Sequence, residues 1–523
     1  MRPLLTPEEM AAADKATIDA GTPVEVLMDR AGAAVARAAI RMLGGRYGKK
    51  VVVVCGKGNN GGDGYAAARV LKREGLGVRC LAVVDPGELK GAAREHYERA
   101  VSARVSVDPF DEKRLQGVDL VVDAIFGTGF RTPTYDEKLL GPINAIQRLK
   151  EGVWTGESSP DVPRVLAIDI PSGLDGNLGP VSGAHVIADR TIAIAAEKAG
   201  TFLAPPQLVG EVEVVDIGIH RLGSPAHVLE PQDVERFLPT RRSDFNKRST
   251  GAIAVFAGSD AMTGAAALVV QGAMRAGSGY VTLACTERVA GVVQARCPEA
   301  LVRVTGHGDH LDPQCVDDVA DVLDRARVVA IGPGLGVGDD QRQLVRRLLA
   351  EFEGPIVVDA DGLNVLVDEP DLLAREKGDV IITPHPGELA RLLERDAHDV
   401  DRERLMVAVE TVKRFGCQLV LKGFRSVIAA PAEDAVAVEV FLNPTAGPEL
   451  ATAGTGDVLT GATAAFIGAN PREWRTMAVA GATFVHGLAG SLAKARASES
   501  GVVAWDVAEA LPEAVELIRE GVS

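Results

Sequence analysis

The sequence predicts two α/β domains in succession, each built on a mostly parallel, helix-covered sheet. Three observations predict it. Short apolar runs such as Val51–Cys55 and Val328–Ile331 alternate with alanine-rich helical segments along most of the chain. Several of these runs end in an acid or a glycine cluster, at the strand ends where open α/β sheets bind ligands. The chain has 523 residues, too many for one ordinary core. Aromatic residues make up only 4% while glycine reaches 57 positions, which favours small-residue α/β packing over an all-β sandwich.

The net charge of −16 opposes broad binding to nucleic acid or anionic membrane, since either needs a basic surface. No run of about 20 apolar residues appears, and the start Met-Arg-Pro-Leu-Leu-Thr-Pro lacks a signal-like apolar stretch, so no membrane partner is expected. Six cysteines lie at 55, 80, 285, 297, 315 and 417 without metal-ligand spacing. They read as reduced, buried thiols, and the expected location is cytoplasmic. A homo-oligomer is expected.

In chain order, 8–43 reads as two helices, the first opening at Pro7-Glu8-Glu9. Val51–Cys55 is a buried strand, followed by a glycine loop and a helix from Tyr65 to Glu74. Strands follow at Val78–Val84, Leu120–Ala124, Val165–Ile170, Thr191–Ala195 and Val212–Val215. The polar, turn-rich stretch 221–251 marks a boundary near 225–240, giving domains 1–225 and 226–523. A second series runs Ala252–Ala257, Tyr280–Ala284, Val328–Ile331, Ile356–Asp359, Val380–Thr383 and Leu419–Lys422. Val427–Ala430 and Val436–Val440 form a hairpin candidate, and Asp457 to Ala493 reads as helical.

The run Gly58-Asn59-Asn60-Gly61-Gly62-Asp63-Gly64 is neither a dinucleotide fingerprint nor a Walker A loop. Two further strand ends carry acids before glycines: Asp123, leading to Gly127-Thr128-Gly129, and Asp169, leading to Pro171-Ser172-Gly173. In a parallel sheet these ends share an edge, so Asp63, Asp123 and Asp169 are expected to converge. Helix capping is the competing reading for each. The strings GNNGGDG, VVDAIFGTG and IDIPSGLDG resemble the NAD(P)HX epimerase family over about residues 1–225. The resemblance implies a Rossmann-like sandwich that interconverts the R and S epimers of hydrated NADH and NADPH, with a bound potassium ion. By position it implies Asn60, Asp123 and Ser172 as potassium ligands. It implies Asn59, Asn60, Gly61, Gly62 and Asp63, with Gly127, Thr128, Gly129, Phe130, Arg131, Thr132 and Pro133, as substrate-binding loops. Asp169 matches a substrate-contacting acid and is the acid/base candidate for the C6 hydroxyl. Lys198 is a second candidate, with a solvated charge after a strand as its rival reading.

In the second domain, Ala453-Gly454-Thr455-Gly456-Asp457 precedes an apolar helix. Glycines at a helix start expose amides to an anion, and the helix dipole adds about half a positive charge. Asp457 in the first turn is placed to act as a general base, or only to suit the dipole. The motif resembles the anion hole of the ribokinase-like superfamily. Gly332-Pro333-Gly334-Leu335-Gly336, Asp359-Ala360-Asp361-Gly362-Leu363-Asn364, Thr383-Pro384-His385-Pro386-Gly387-Glu388 and Lys422-Gly423 narrow the resemblance to NAD(P)H-hydrate dehydratase, over about residues 240–515.

That resemblance implies phosphorylation of the C6 hydroxyl of the S hydrate and loss of phosphate. ADP is the expected donor, with AMP released. It implies Ala265, Gly334, His385 and Asp457 as hydrate-binding residues, and Lys422, Gly423, Phe424, Arg425, Ser426 and Gly456 as nucleotide-binding ones. Magnesium is expected near Glu388. Asp359 reads equally as a helix cap. The leading functional reading is thus a bifunctional repair enzyme acting on NADHX and NADPHX. A ribokinase-like small-molecule kinase with a regulatory N-terminal domain is the runner-up, and a nucleotide-binding scaffold a third.

Overall fold

The computed structural model describes residues 1–130, 137–150, 162–180, 183–220, 223–240, 251–306, 308–375, 377–432, 437–445 and 447–521. Pro3–Ser224 form one compact unit, and Met1–Arg2 with Pro225–Ser523 a second.

In the first unit, helix α1 (Pro7–Asp19) starts at a capping box. The Glu9 amide donates to Thr6 Oγ1 at 3.2 Å, and the Thr6 amide donates to Glu9 Oε2 at 2.8 Å. Helix α2 (Val24–Leu43) stops at Gly44 in the left-handed conformation. Seven parallel strands follow: β1 (Lys50–Cys55), β2 (Gly77–Ala82), β3 (Ser106–Pro109), β4 (Leu120–Ala124), β5 (Arg164–Ile168), β6 (Arg190–Ile194) and β7 (Glu211–Val215). Their order across the sheet is β7-β6-β5-β4-β1-β2-β3. The chain winds outward from β1 in one direction and from β4 in the other. A crevice therefore forms beyond the ends of β1 and β4, the usual ligand position in such sheets.

Helix α3 (Asn59–Arg73) corrects the sequence reading, which began this helix at Tyr65. The glycine run forms the first turns of the helix instead of a loop before it. The reason is packing: a Cβ on Gly61 would lie 2.0 Å from the Gly56 carbonyl oxygen, so only glycine lets the helix start so close to the strand.

The second unit repeats the plan. Its strands are β8 (Ala252–Phe256), β9 (Tyr280–Cys285), β10 (Leu301–Val304), β11 (Val328–Ile331), β12 (Ile356–Val358), β13 (Val380–Ile382), β14 (Gln418–Leu421), β15 (Val427–Pro431) and β16 (Val438–Leu442). Their order is β16-β15-β14-β13-β12-β11-β8-β9-β10, with Ala226–Val228 beside β16. All are parallel except the hairpin, whose β15 runs antiparallel to both neighbours. Val436 of the expected hairpin lies outside the described residues. Here the winding reverses between β8 and β11. The edge strands β3 and β10 were missed because each is only four residues long and interrupted by a charge, Asp108 and Arg303.

Helices α6 (Thr263–Arg275), α11 (Thr455–Ala469), α12 (Arg475–Ala497) and α13 (Ala504–Arg519) pack one face of this sheet. Val270, Val458, Phe466, Val485 and Leu511 share one core with Val255 and Ala330 of the strands. The helical stretch expected from Asp457 to Ala493 is interrupted at Asn470, which precedes Pro471 and is extended (φ −111°, ψ 149°). The segment Arg472–Ala497 is long and apolar enough to cross a membrane, but 72% of its apolar window is buried inside the unit, as befits a core helix. All six cysteines are free and buried, as expected.

Candidate functional site

A cavity of about 450 Å³ lies at the reversal point of the first unit. Asn59, Asn60 and Asp63 of α3 line it, with Gly127, Thr128, Gly129 and Phe130 after β4, Asp169 after β5, Lys198, and Asp14 of α1. Gly61 and Gly62, also expected in the substrate loop, are buried in the first turn of α3. Arg131, Thr132 and Pro133 lie outside the described residues.

Asp169 is held in the left-handed region (φ +69°), unusual for a non-glycine residue, and so is Ala195 (φ +63°). The Ile194 amide donates to Asp169 Oδ1 at 3.2 Å. Lys198 is fully buried, which removes the solvated-charge reading. Its ammonium donates to Asp169 Oδ1, to the Ile194 carbonyl at 2.8 Å and to the Ala196 carbonyl at 3.0 Å, using all three of its protons. Asp63 and Asp14 share this surround. Burial pushes the Asp63 carboxyl up, Asp169 and Asp14 add to the shift, and Lys198 opposes it. Burial likewise pushes Asp14 up to about 6.

Asp123 does not join Asp63 and Asp169 on the cavity wall. It is fully buried beneath it, tied to Ser172. Ser172 Oγ donates to Asp123 Oδ1 at 2.6 Å, the Ser172 amide to Oδ2 at 2.7 Å, and the Ile125 amide to Oδ1 at 3.2 Å. Burial lifts the Asp123 carboxyl to about 6 against these bonds. The Phe126 amide donates to Ser172 Oγ at 2.9 Å, and Asn60 Nδ2 donates to the Phe126 carbonyl at 2.7 Å. Asn60, Asp123, Ser172 and the Phe126 carbonyl thus form one oxygen-rich cluster, and the hydrogen bonds to its carboxylate come from no cationic side chain.

In the second unit the reversal point brings together the loops after β8 and β11. The Gly258 amide donates to the Pro333 carbonyl at 2.9 Å. A Cβ on Gly334 (φ +64°) would lie 2.7 Å from Ala265 Cβ, so the two expected hydrate-binding positions touch. Leu268 of the same helix α6 reaches the start of α11: a Cβ on Gly454 would lie 2.5 Å from it. Gly454 is the left-handed cap (φ 90°) before Thr455, and Asp457 stands in the first turn.

Beside that turn lies a lysine among acids. Lys422 Nζ is 2.7 Å from Asp359 Oδ1 and 3.8 Å from Glu388 Oε2. Thr460 Oγ1 of α11 donates to Asp359 Oδ2 at 2.7 Å. Asp359 is fully buried, so it is the anchor of a lysine and not a surface helix cap. Burial alone lowers the Lys422 ammonium, but Asp359 and Glu388 outweigh it and hold it raised. Burial pushes Asp457 up to about 7, with Asp359 adding to the shift and Lys422 opposing it. Gly456 sits against Lys422: a Cβ there would be 3.0 Å from Nζ.

His385 caps helix α9 (Pro386–Leu393), its Nδ1 accepting from the Gly387 amide at 3.0 Å and the Glu388 amide at 3.3 Å. The loop holding Gly423, Phe424, Arg425 and Ser426 is braced from beneath by Arg404, which the sequence reading missed. Its buried guanidinium donates to the Lys422 carbonyl at 2.9 Å and to the Phe424 carbonyl. Buried His486, also missed, bonds through Nε2 to the Thr455 carbonyl at 2.9 Å, and burial lowers it to about 4. Neither residue sits in a glycine or strand-end motif, so no local signal marks it.

Residues 24–200 match the family described as YjeF-related protein N-terminus, and residues 253–513 match NAD(P)H-hydrate dehydratase. The bifunctional NAD(P)H-hydrate repair enzyme of Thermofilum pendens is 34% identical over 96% of this chain and 93% of its own. That of Moorella thermoacetica is 33% identical over 99% and 98%, and that of Pyrobaculum aerophilum 36% over 98% and 98%. The chain belongs to the bifunctional NAD(P)H-hydrate repair enzymes. Like the family, this repair enzyme joins an epimerase to a dehydratase, and the separate kinase reading falls away. Among solved structures, the ADP/ATP-dependent NAD(P)H-hydrate dehydratase of Bacillus subtilis, co-crystallised with ATP and magnesium, is 28% identical over 56% of this chain and 98% of its own, with a TM-score of 0.47. A ribokinase-like superfamily protein of Enterococcus faecalis is 25% identical over 57% and 97%, with a TM-score of 0.49.

Proposed function

We propose that the first-unit cavity is the epimerase centre for NADHX and NADPHX and that the Asp457 cluster is the dehydratase centre for the S epimer, with ADP as phosphoryl donor. The observation that carries the dehydratase assignment is the placement of Asp457. It stands in the first turn of a glycine-started helix, beside the half-buried Lys422, with its proton affinity raised toward neutrality. A base so tuned takes the proton of the C6 hydroxyl near neutral pH. The hydroxyl oxygen attacks the terminal phosphorus of ADP and AMP departs. The amides at the start of α11 and Lys422 hold the charge that gathers on the transferred group. Phosphate then leaves C6, assisted by the ring nitrogen, and loss of a C5 proton restores the dihydronicotinamide.

Gly423–Ser426 and Gly456 are assigned to the nucleotide, and Ala265, Gly334 and His385 to the hydrate. Relatives support ADP or ATP use, and the bacterial dehydratase is named for both. Among the described residues no group of three or more His, Cys, Asp or Glu side chains is placed to hold a metal ion. Asp359 and Glu388 are engaged with Lys422. Magnesium is therefore assigned to the nucleotide's phosphates and not to a protein cage.

In the first unit, Asn60, Asp123 and Ser172 fit a potassium ion. The donors are hard oxygens, and Asp123 is a deeply buried carboxylate hydrogen-bonded only by neutral groups. A cation there would offset the buried charge and steady the loop at Ile125–Phe130. Asp169 is assigned the proton transfer at C6, with Lys198 holding its carboxylate in place. The enzyme is assigned to the cytoplasm as a homo-oligomer that binds neither membrane nor nucleic acid.

The test is incubation of the purified enzyme with separate R and S hydrates and either ADP or ATP, following the absorbance of reduced nicotinamide. Immediate recovery from S, and slower complete recovery from R, is the expected result. A stable phosphorylated product without reduced cofactor contradicts the assignment.

A further inference from the structure

Epimerisation at C6 by loss and re-addition of water needs a proton to be given on one face of the ring and taken on the other. Asp169 with Lys198 supplies one such group. The same cavity holds two further carboxyls, Asp63 of α3, deeply buried, and the more open Asp14 of α1, which lies ahead of the segment 24–200 that matches the family model. We propose that Asp14 is a further catalytic residue of the epimerase, the carboxyl that exchanges a proton with the C6 hydroxyl on the ring face Asp169 does not serve. The inference rests on the assignment of this cavity as the epimerase centre.

The charge inventory of the cavity supports it. Asp14, Asp63 and Asp169 face it with Lys198, and exposed Lys57 stands at its wall. Every proton of the Lys198 ammonium is taken by Asp169 and by two backbone carbonyls. None remains for Asp14 or Asp63. Three carboxyl groups therefore share one buried cation, and such a group of acids keeps a proton that isolated carboxylates would lose. Burial and Asp169 raise both Asp14 and Asp63, against Lys198.

The step balances without any added reagent. The Asp14 carboxyl protonates the C6 hydroxyl, the C–O bond breaks, and water departs. The ring nitrogen lone pair forms the C=N⁺ bond of a cyclic iminium, which the surplus carboxylates stabilise. Water then adds to C6 from the other face, Asp169 takes its proton, and the iminium closes to the opposite epimer. In the reverse direction the two acids exchange roles.

The test uses the full chain with Asp14→Asn and Asp14→Glu. R-hydrate turnover is followed through NADPH formation with excess S-dehydratase activity, and S-hydrate dehydration and thermal melting report folding. For Asp14→Asn, kcat on the R hydrate is expected to fall by about 10²-fold or more with KM little changed, and the alkaline limb of kcat/KM to vanish. Asp14→Glu is expected to recover part of the rate and to keep that limb. R turnover by Asp14→Asn within about threefold of the unaltered enzyme, with the same pH profile, overturns the proposal, as does an effect confined to KM. If Asp14→Asn does not fold, Asp14→Glu decides: a retained alkaline limb supports the role and a flat profile overturns it. Asp169→Asn separates the two levels, because R turnover untouched by that change removes the assignment of the cavity itself.

Discussion

Both units place a lysine among three or more carboxyl groups beyond the strand ends of a parallel sheet, Lys198 fully buried and Lys422 half-buried, yet the two clusters are built for different work. In the first unit Lys198 is closed off by Asp169 and two carbonyls, and the other acids face the cavity without it. In the second unit Lys422 reaches Asp359 and Glu388 and lies beside Gly456 at the start of α11. Its charge adds to that of the helix terminus. The first cluster suits proton exchange with a neutral hydroxyl or a cationic intermediate. The second suits an anion. Under the proposed assignments the chemistry follows from which neighbours satisfy the lysine, not from the lysine and acids themselves.

The comparison breaks most sharply at its two acids. Asp457→Asn is expected to lower S-hydrate dehydration by about 10² to 10⁴-fold while leaving epimerisation intact. Equal loss of both activities would contradict separate centres. Asp169→Asn is expected to slow only R-hydrate use, by about 10²-fold, with S-hydrate turnover as the internal control.

The lysines come next. Lys422→Met leaves buried Asp359 with the Thr460 hydroxyl but no cation beside it and is expected to cost about 3–5 kcal/mol of stability in the second unit. The matching Lys198→Met strands Asp169, whose side chain retains 13% of its exposure against none for Asp359, so its thermal shift is expected to be smaller. Differential scanning calorimetry of both variants checks the ranking.

A pH series sharpens the contrast further. Because Asp457 holds its proton up to about 7, the ionised base accumulates as pH rises, and dehydration is expected to climb through that value. Stability moves the other way. A carboxyl raised by folding stabilises the protein below its ordinary pKa, and that contribution is lost as pH rises through 7. Chemical denaturation at pH 5 and pH 8 tests the sign. The smallest effect is expected from Gly334→Ala. The left-handed φ and the 2.7 Å approach to Ala265 predict a loss of about 1–3 kcal/mol and a raised KM for the hydrate, with epimerisation unchanged.

Much of the site was legible because strand ends in parallel sheets carry their functional acids beside glycines. Asp123 and Asp169 were marked that way, and Asp457 by the glycines at a helix start. The glycines of 59–64 looked like a loop and placed the helix start too late, at Tyr65, because they serve helix-to-strand contact, and Asp359, which also read as a cap, is a buried anchor. Asp14, Arg404 and His486 were not marked because each lies within a regular helix, where an isolated polar residue carries no motif.

Local pattern alone was enough to specify the alternation of strands and helices, the two-part organisation and the strand-end motifs, since hydrophobic periodicity and glycine spacing are short-range properties of the chain. Which acids share a cavity, which are spent on a lysine, and how far burial moves their protons depended on contacts between residues far apart in sequence, such as Asp359 with Lys422 and Asp169 with Lys198. Electrostatic energy depends on distance and solvent exclusion in three dimensions, and neither quantity exists until the chain has folded.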